Sequence, residues 1–199
     1  MQRQLYFVRH GETTLSGHLL GVTDPELSST GAQQLLQSLT SLSGLQGIIS
    51  SPRKRCLNTA TAFAKQYQLP VEVEPNLAEF DFGLWDGQPY DTLWRETQFP
   101  SIGDFWQNPW LHTPPEGESM YDFHHRVATW WHSILASPSK ECTAVVAHAG
   151  VIKALVALIL DLSPELTAYQ SKIDIPYAGI VKVEVFYDSS QTAWPKVVF

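Results

Sequence analysis

Leu5-Tyr6-Phe7-Val8 runs directly into Arg9-His10-Gly11-Glu12-Thr13. An apolar stretch of strand length stops abruptly at a cation, an imidazole and a glycine. In an open α/β sheet, ligands bind at the carboxyl ends of strands. Arginine and histidine at such an end, with a glycine that allows close backbone approach, predict a site for an anion. The same grammar returns late in the chain, where Thr143-Ala144-Val145-Val146-Ala147 ends in His148-Ala149-Gly150. Two strand-end histidines so far apart are hard to explain as accidents of packing. They predict that distant segments converge on one compact positive pocket.

Working outward, Ser28, Ser29 and Thr30 offer N-caps for a helix to about Leu42. Leu45 to Ile49 reads as a second strand. Ser51-Pro52 reads as N-cap and first residue of a helix to about Tyr67, with Cys56, Ala60, Phe63 and Tyr67 on one apolar face. Val71 to Val73 is a short strand. This β-α-β-α-β order predicts an α/β fold, a three-layer α/β/α sandwich with a mostly parallel central sheet. Residues 79–117 break the rhythm with tryptophans, phenylalanines and prolines, and read as short helices and turns in an aromatic-rich insertion that lies over the sheet as a lid. Regular structure resumes at Glu118-Ser119, where Met120, Phe123, Val127, Trp131 and Ile134 form a helical stripe. Val151 to Leu160 follows as a helix, and Ser163-Pro164 opens another. Ile180 to Val185 alternates as a strand, with Trp194 to Val198 beside it.

The 199 residues suffice for one domain, 1–199, with a full hydrophobic core. The net charge of −7 argues against a nucleic-acid surface, so any anion must be held by a local cluster of cations. No apolar run reaches the roughly 18 residues that cross a bilayer, and no signal peptide is visible. The expectation is a cytoplasmic protein without membrane attachment, a monomer or homodimer. Cys56 and Cys142 read as buried, reduced thiols. No cysteine or histidine spacing suggests a metal site, since His124 and His125 are adjacent on a helix and point apart.

The motifs, taken together, resemble those of the histidine phosphatases, relatives of the cofactor-dependent phosphoglycerate mutases. Arg9-His10-Gly11-Glu12-Thr13 is similar to the family signature, and Ser50-Ser51-Pro52-Arg53-Lys54-Arg55-Cys56-Leu57-Asn58-Thr59-Ala60 to its second motif. Leu77-Ala78-Glu79-Phe80-Asp81-Phe82-Gly83-Leu84-Trp85-Asp86-Gly87 resembles the acidic motif. Pro114-Pro115-Glu116-Gly117-Glu118-Ser119 resembles the Gly-Glu-Ser stretch that opens a later helix, and Val145-Val146-Ala147-His148-Ala149-Gly150 the last motif. The likeness runs in order from about residue 5 to residue 160.

The resemblance implies a metal-free and cofactor-free phosphomonoesterase. His10 would be the nucleophile, attacking phosphorus as a neutral imidazole to give a phosphohistidine that water hydrolyses. With a reference pKa of about 6.5, a useful fraction is neutral near pH 7. The other ring nitrogen needs an acceptor, expected to be a backbone carbonyl near Gly11. Arg9 and Arg55 would clamp phosphoryl oxygens with guanidinium forks, helped by the positive end of the helix opening at Pro52. Sequence geometry does not choose between Arg53 and Arg55; the family motif selects Arg55, and Arg53 and Lys54 read as a solvated helix start. His148 would contact phosphate as an imidazolium. Glu79 would carry the proton, a role that calls for a raised pKa supplied by burial under the insertion. Thr13, Ser16, Gly21 and Ala149 are implied as further phosphate or substrate contacts, though Ser16 stands where the mutases have asparagine and the loop reaches Gly21 early. Asp81 and Asp86 read as structural; His18 and His112 are possible substrate contacts that read better as surface histidines.

The short chain favours hydrolysis over mutase chemistry. The Gly21-Val22-Thr23-Asp24-Pro25-Glu26-Leu27 spacing and the acidic motif look most like the α-ribazole-5′-phosphate phosphatases of cobalamin assembly, with insertion aromatics available to stack on a benzimidazole. Sugar phosphates, phosphoglycerates or a broad set of monoesters are the alternatives. A phosphate-recognition module without chemistry is the non-enzymatic one. The expected partner is a small phosphate monoester.

Overall fold

The computed structural model describes residues 1–138, 141–163 and 169–198. The strands are β1 (Gln2–Arg9), β2 (Gly47–Ser50), β3 (Val71–Val73), β4 (Cys142–Ala147), β5 (Ile180–Tyr187) and β6 (Ala193–Val198). The helices are α1 (Ser29–Ser41), α2 (Lys54–Tyr67), α3 (Tyr90–Glu96), α4 (Ile102–Gln107), α5 (Met120–Leu135), α6 (Ala149–Ile159) and α7 (Tyr169–Lys172). One sheet carries all six strands in the order β3-β2-β4-β1-β5-β6. β3, β2, β4 and β1 pair in parallel, whereas β5 runs antiparallel to both β1 and β6. The expected mostly parallel sheet is present, and β5 is the one strand that runs against the rest.

Strand alternation builds the three layers, because successive side chains point to opposite faces. Val8, Ile48, Ala144 and Val146 face Leu35 and Leu39 of α1 and Cys56, Ala60 and Phe63 of α2. Leu5, Phe7, Ile49, Val145 and Ala147 face Phe123, Val127 and Trp131 of α5 and Val151, Ile152 and Leu155 of α6. The β4 segment is buried at every position, as expected for a central parallel strand covered on both sides.

Several boundaries differ from the sequence reading. The second strand starts at Gly47 and not Leu45. α2 starts at Lys54, with Arg53 as N-cap, and not at Pro52. The cause is local: the Ser51 hydroxyl lies 2.7 Å from His148 Nε2, and Asp24 accepts the Lys54 N–H at 2.6 Å from outside the helix. α6 begins at Ala149, directly after His148 in extended conformation. The helix expected to open at Ser163-Pro164 lies outside the described residues from Pro164 onward. Segment 79–117 contains the anticipated short elements, α3, α4 and a 3-10 turn at Gly83–Trp85. No helix among the described residues is long and apolar enough to cross a membrane.

Candidate active site

Three adjacent parallel strands end together. Arg9 is in register with Ala147, and Ser50 with Val146, so the chain leaves β1, β4 and β2 at one edge as Arg9-His10, Ala147-His148 and Ser50-Ser51. The ladder extends one step further through His10 N–H to the Ala147 carbonyl at 3.0 Å and Ser51 N–H to the Val146 carbonyl at 2.9 Å. The His10 and His148 rings consequently meet edge to face, with centroids 5.2 Å apart.

The His10 ring is fixed and buried. Its Nδ1 donates to the Gly11 carbonyl at 2.8 Å, the acceptor expected from the sequence. A neutral imidazole with its proton on Nδ1 keeps the lone pair on Nε2. Burial, then the Arg55 cation, with a smaller push from Arg9, lower its pKa to about 3 against the opposing Gly11 hydrogen bond, so the ring is neutral near pH 7. The loop beyond it packs tightly, because a Cβ at Gly11 would run into the Gly31 carbonyl and one at Gly31 into the Glu12 backbone.

His148 is fully buried, with Cys56 Sγ 3.7 Å from Nε2. Burial first, then Arg55, His10, Arg53 and Arg126, hold its pKa well below the ordinary histidine value. The expectation of an imidazolium is therefore corrected: in its protein surroundings His148 is neutral, because a cation there would be both desolvated and close to other positive groups.

Arg55 is present but does not offer two open arms. Nη1 donates to the Thr23 carbonyl at 2.9 Å and to Asp24 Oδ1 at 3.2 Å. Nη2 donates to the carbonyls of Leu20 at 3.3 Å and Gly21 at 3.0 Å. Its buried Nε makes no hydrogen bond within the protein. The two-armed clamp is thus replaced by a fully buried guanidinium whose charge acts on His10. The α2 N-terminus is likewise engaged, since Asp24 accepts from Lys54 N–H and, at 3.4 Å, from Arg55 N–H. Arg53 is half-buried, with an unpartnered buried Nε, and acts on His148, so it is not the solvated residue expected.

The loop that presents these carbonyls is gripped from its other side by Asp86. Its carboxylate accepts the N–H groups of Gly21 at 2.9 Å, Val22 at 2.7 Å and Thr23 at 2.6 Å. Asp86 and Asp81 have structural hydrogen bonds, as read; Asp81 accepts from Gly83 N–H at 2.9 Å. Gly21 is corrected as a substrate contact, because its N–H belongs to Asp86 and its carbonyl to Arg55.

A cavity of about 290 Å³ has Arg9, His10, Glu79, Ala149 and Gly150 in its wall. Glu79 is half-buried and held by backbone donors, Oε1 by Phe80 N–H at 3.0 Å and Oε2 by Gly150 N–H at 3.1 Å. Arg126 fixes the segment behind it. Its guanidinium donates to Glu118 at 2.7 and 3.0 Å and to the carbonyls of Asn76, Ala78 and Glu79. Arg9 donates to the Ile175 carbonyl at 2.6 Å and lies over the Tyr177 ring, 4.0 Å from Cζ to centroid.

Phe80, Phe82, Phe105 and Trp106 of the insertion line the same cavity. Phe80, Phe82 and Phe105 are almost wholly buried against one another, so these three serve packing, whereas Tyr90, Trp94, Phe99 and Trp106 of the insertion are exposed. Trp106 is the more open of the four.

Other expectations fare differently. Thr13 is buried, and its hydroxyl donates to the Leu15 carbonyl at 3.4 Å, away from the cavity lining. Ser16 is exposed and does not line the cavity, whereas its neighbours Gly17 and His18 do. His18 is half-buried because its Nδ1 donates to the Ser16 carbonyl and its strand-like bridge to Pro89 draws the loop inward. Its place in the cavity wall favours the substrate-contact alternative over the preferred surface reading. His112 instead packs beside Phe99. Sequence reasoning missed Tyr177, Lys153 and Asp174 of the wall and the supports Asp24 and Arg126. Each acts across tens of residues, and of the five only Lys153 stands out in sequence, as a charge in an otherwise apolar stretch.

A family model described as Histidine phosphatase superfamily (branch 1) matches residues 5–194. Bifunctional protein Rv2228c of Mycobacterium tuberculosis is 32% identical over 184 residues, covering 90% of this chain and 50% of that protein. The chain spans about half the length of this and the other mycobacterial relatives first matched. Adenosylcobalamin/alpha-ribazole phosphatase of Escherichia coli is 29% identical over 167 residues, covering 81% of each chain. Glucosyl-3-phosphoglycerate phosphatase of Mycolicibacterium vanbaalenii is 30% identical over 171 residues, covering 80% of this chain and 75% of that one. Among solved structures, one titled Mycobacterial hydrolase 2 superposes with a TM-score of 0.85 at 23% identity, covering 100% of this chain and 90% of that one, which supports the fold.

Proposed function

The chain belongs to the histidine phosphatase superfamily (branch 1), and from that membership we propose that it hydrolyses phosphate monoesters through a phosphohistidine on His10. The observation that carries this reading is the His10 ring: neutral, buried, tied at Nδ1 to Gly11 and bordering a cavity with Arg9 and Glu79. In the proposed sequence Nε2 attacks phosphorus, the ester P–O bond breaks and Glu79 protonates the leaving alkoxide. Water then attacks the phosphohistidine, Glu79 takes a proton from it, and inorganic phosphate leaves. Arg9, and Arg55 through its charge and Nε, stabilise the equatorial oxygens in both steps. His148 donates from a ring nitrogen to the same group.

We take α-ribazole-5′-phosphate as the leading substrate. The motif spacing, the relative named for that activity and the aromatic wall support it. A phosphoglycerate-type ester is the second reading, favoured by a relative of similar identity named for one. The test is hydrolysis of p-nitrophenyl phosphate in EDTA with alkaline-quench trapping of the phosphoenzyme. Turnover that survives EDTA and a base-stable, acid-labile phosphoryl group are expected, and His10→Ala should remove both while the circular dichroism spectrum is kept. Normal turnover by the His10→Ala protein would overturn the assignment.

A further inference from the structure

Resting on the phosphomonoesterase reading, we propose that the cavity selects monoesters whose alcohol carries no second negative charge, and that Asp174 together with Lys153 sets this preference. Arg9 supplies positive charge beside His10, and its orientation is fixed by the Ile175 carbonyl and the Tyr177 ring. Beyond it, the charged side chains in the cavity wall among the described residues are Lys153, Asp174 and Glu79. Lys153 Nζ donates to the Gln170 carbonyl at 2.7 Å. Burial lowers the Lys153 pKa, Asp174 and Glu79 act against that lowering, and Arg9 adds to it; all four charged side chains line the one cavity. Apart from Arg9, which serves the phosphoryl group in the proposed reaction, the wall thus holds one cation and two acids. When Glu79 holds the proton it will donate, Lys153 and Asp174 balance. In neither state does this part of the wall present uncompensated positive charge.

Much of the remaining wall is apolar, from Leu19, Leu20, Phe80, Phe82, Phe105 and Trp106. A carboxylate or second phosphate on the alcohol would leave water for an apolar surface or approach Asp174, and an unpaired charge is costly in either place. A neutral, flat alcohol meets neither cost. This separates two substrate classes that sequence identity leaves level, because a phosphoglycerate carries a carboxylate.

A matched pair tests the inference: para-carbamoylphenyl phosphate and para-carboxyphenyl phosphate, nearly equal in size and one charge apart. The uncharged ester should be favoured in kcat/KM on the order of tenfold at low salt. Because Asp174 is exposed, the preference should shrink as salt rises. Asp174→Lys should narrow or reverse the ratio, which corrects for any intrinsic difference between the two phenols. Equal turnover of the pair by the unmodified protein, or an Asp174→Lys ratio that does not move, overturns the inference. Failure to hydrolyse any ester, p-nitrophenyl phosphate included, overturns the phosphomonoesterase reading and this inference with it.

Discussion

At Gly150 the absence of a side chain has a chemical use. The residue sits in the first turn of α6, where its N–H holds Glu79 Oε2, and a Cβ there would run into Glu79 Oε1. A Gly150→Ala protein should therefore fold well, since alanine exceeds glycine in helix propensity by about 1 kcal/mol and the obstructed atom is the end of a flexible side chain. The displaced carboxylate should lower kcat by about a hundredfold for esters with poor leaving groups, and much less for p-nitrophenyl phosphate, whose leaving group needs little proton assistance. A thermal melt with a two-substrate kinetic comparison checks this. A destabilised protein with unchanged kcat for both esters would count against the proton-carrying role of Glu79.

At the scale of elements, the Leu19–Asp24 loop is held by opposite chemistry on its two sides. Asp86 takes its N–H groups, and Arg55 takes its carbonyls. The two charges fix one peptide orientation, so Asp86 positions Arg55 without reaching the cavity. Asp86→Asn replaces one acceptor oxygen by a donor and should cost about 1–3 kcal/mol of stability by leaving backbone donors unpaired. It should also lower kcat/KM, because the Arg55 guanidinium loses its aligned carbonyls. Urea unfolding and steady-state kinetics read both effects, and Asp86→Glu should restore part of the activity if hydrogen bonding is the cause. The sequence showed the strands and most helices because their apolar periodicity is local. It did not show this loop's bracing, which joins residues 20–24 to positions 55 and 86. Ser51-Pro52 misled for a related reason: a serine before proline looks like a cap, but the hydroxyl faces His148 from the neighbouring strand. Arg55 was legible as a site residue and illegible as to which atoms were already engaged.

For the molecule as a whole, the buried histidines make stability depend on acid. His10 and His148 titrate normally in the unfolded chain, near pH 6.5, but far lower in the folded one, and His124 is pushed by burial to about 4. Below about pH 6.5 the unfolded state binds protons that the folded state refuses, so stability is lost as pH falls toward the folded values. Each fully buried histidine contributes a slope of about 1.4 kcal/mol per pH unit in that window. The urea midpoint should fall from pH 7 to pH 5, and His10→Asn should flatten the fall; an unchanged midpoint would show that the rings accept protons without unfolding. The reversed strand β5 has a different consequence. The turn before it stitches onto the nucleophile's own backbone, with Arg9 N–H on the Gly179 carbonyl and Ala178 N–H on the His10 carbonyl. Both histidines leave the ribosome before this turn does. A nascent chain thus carries its reactive groups for some time without the wall that confines a substrate, and the finished pocket must await nearly the last part of the domain to be synthesised.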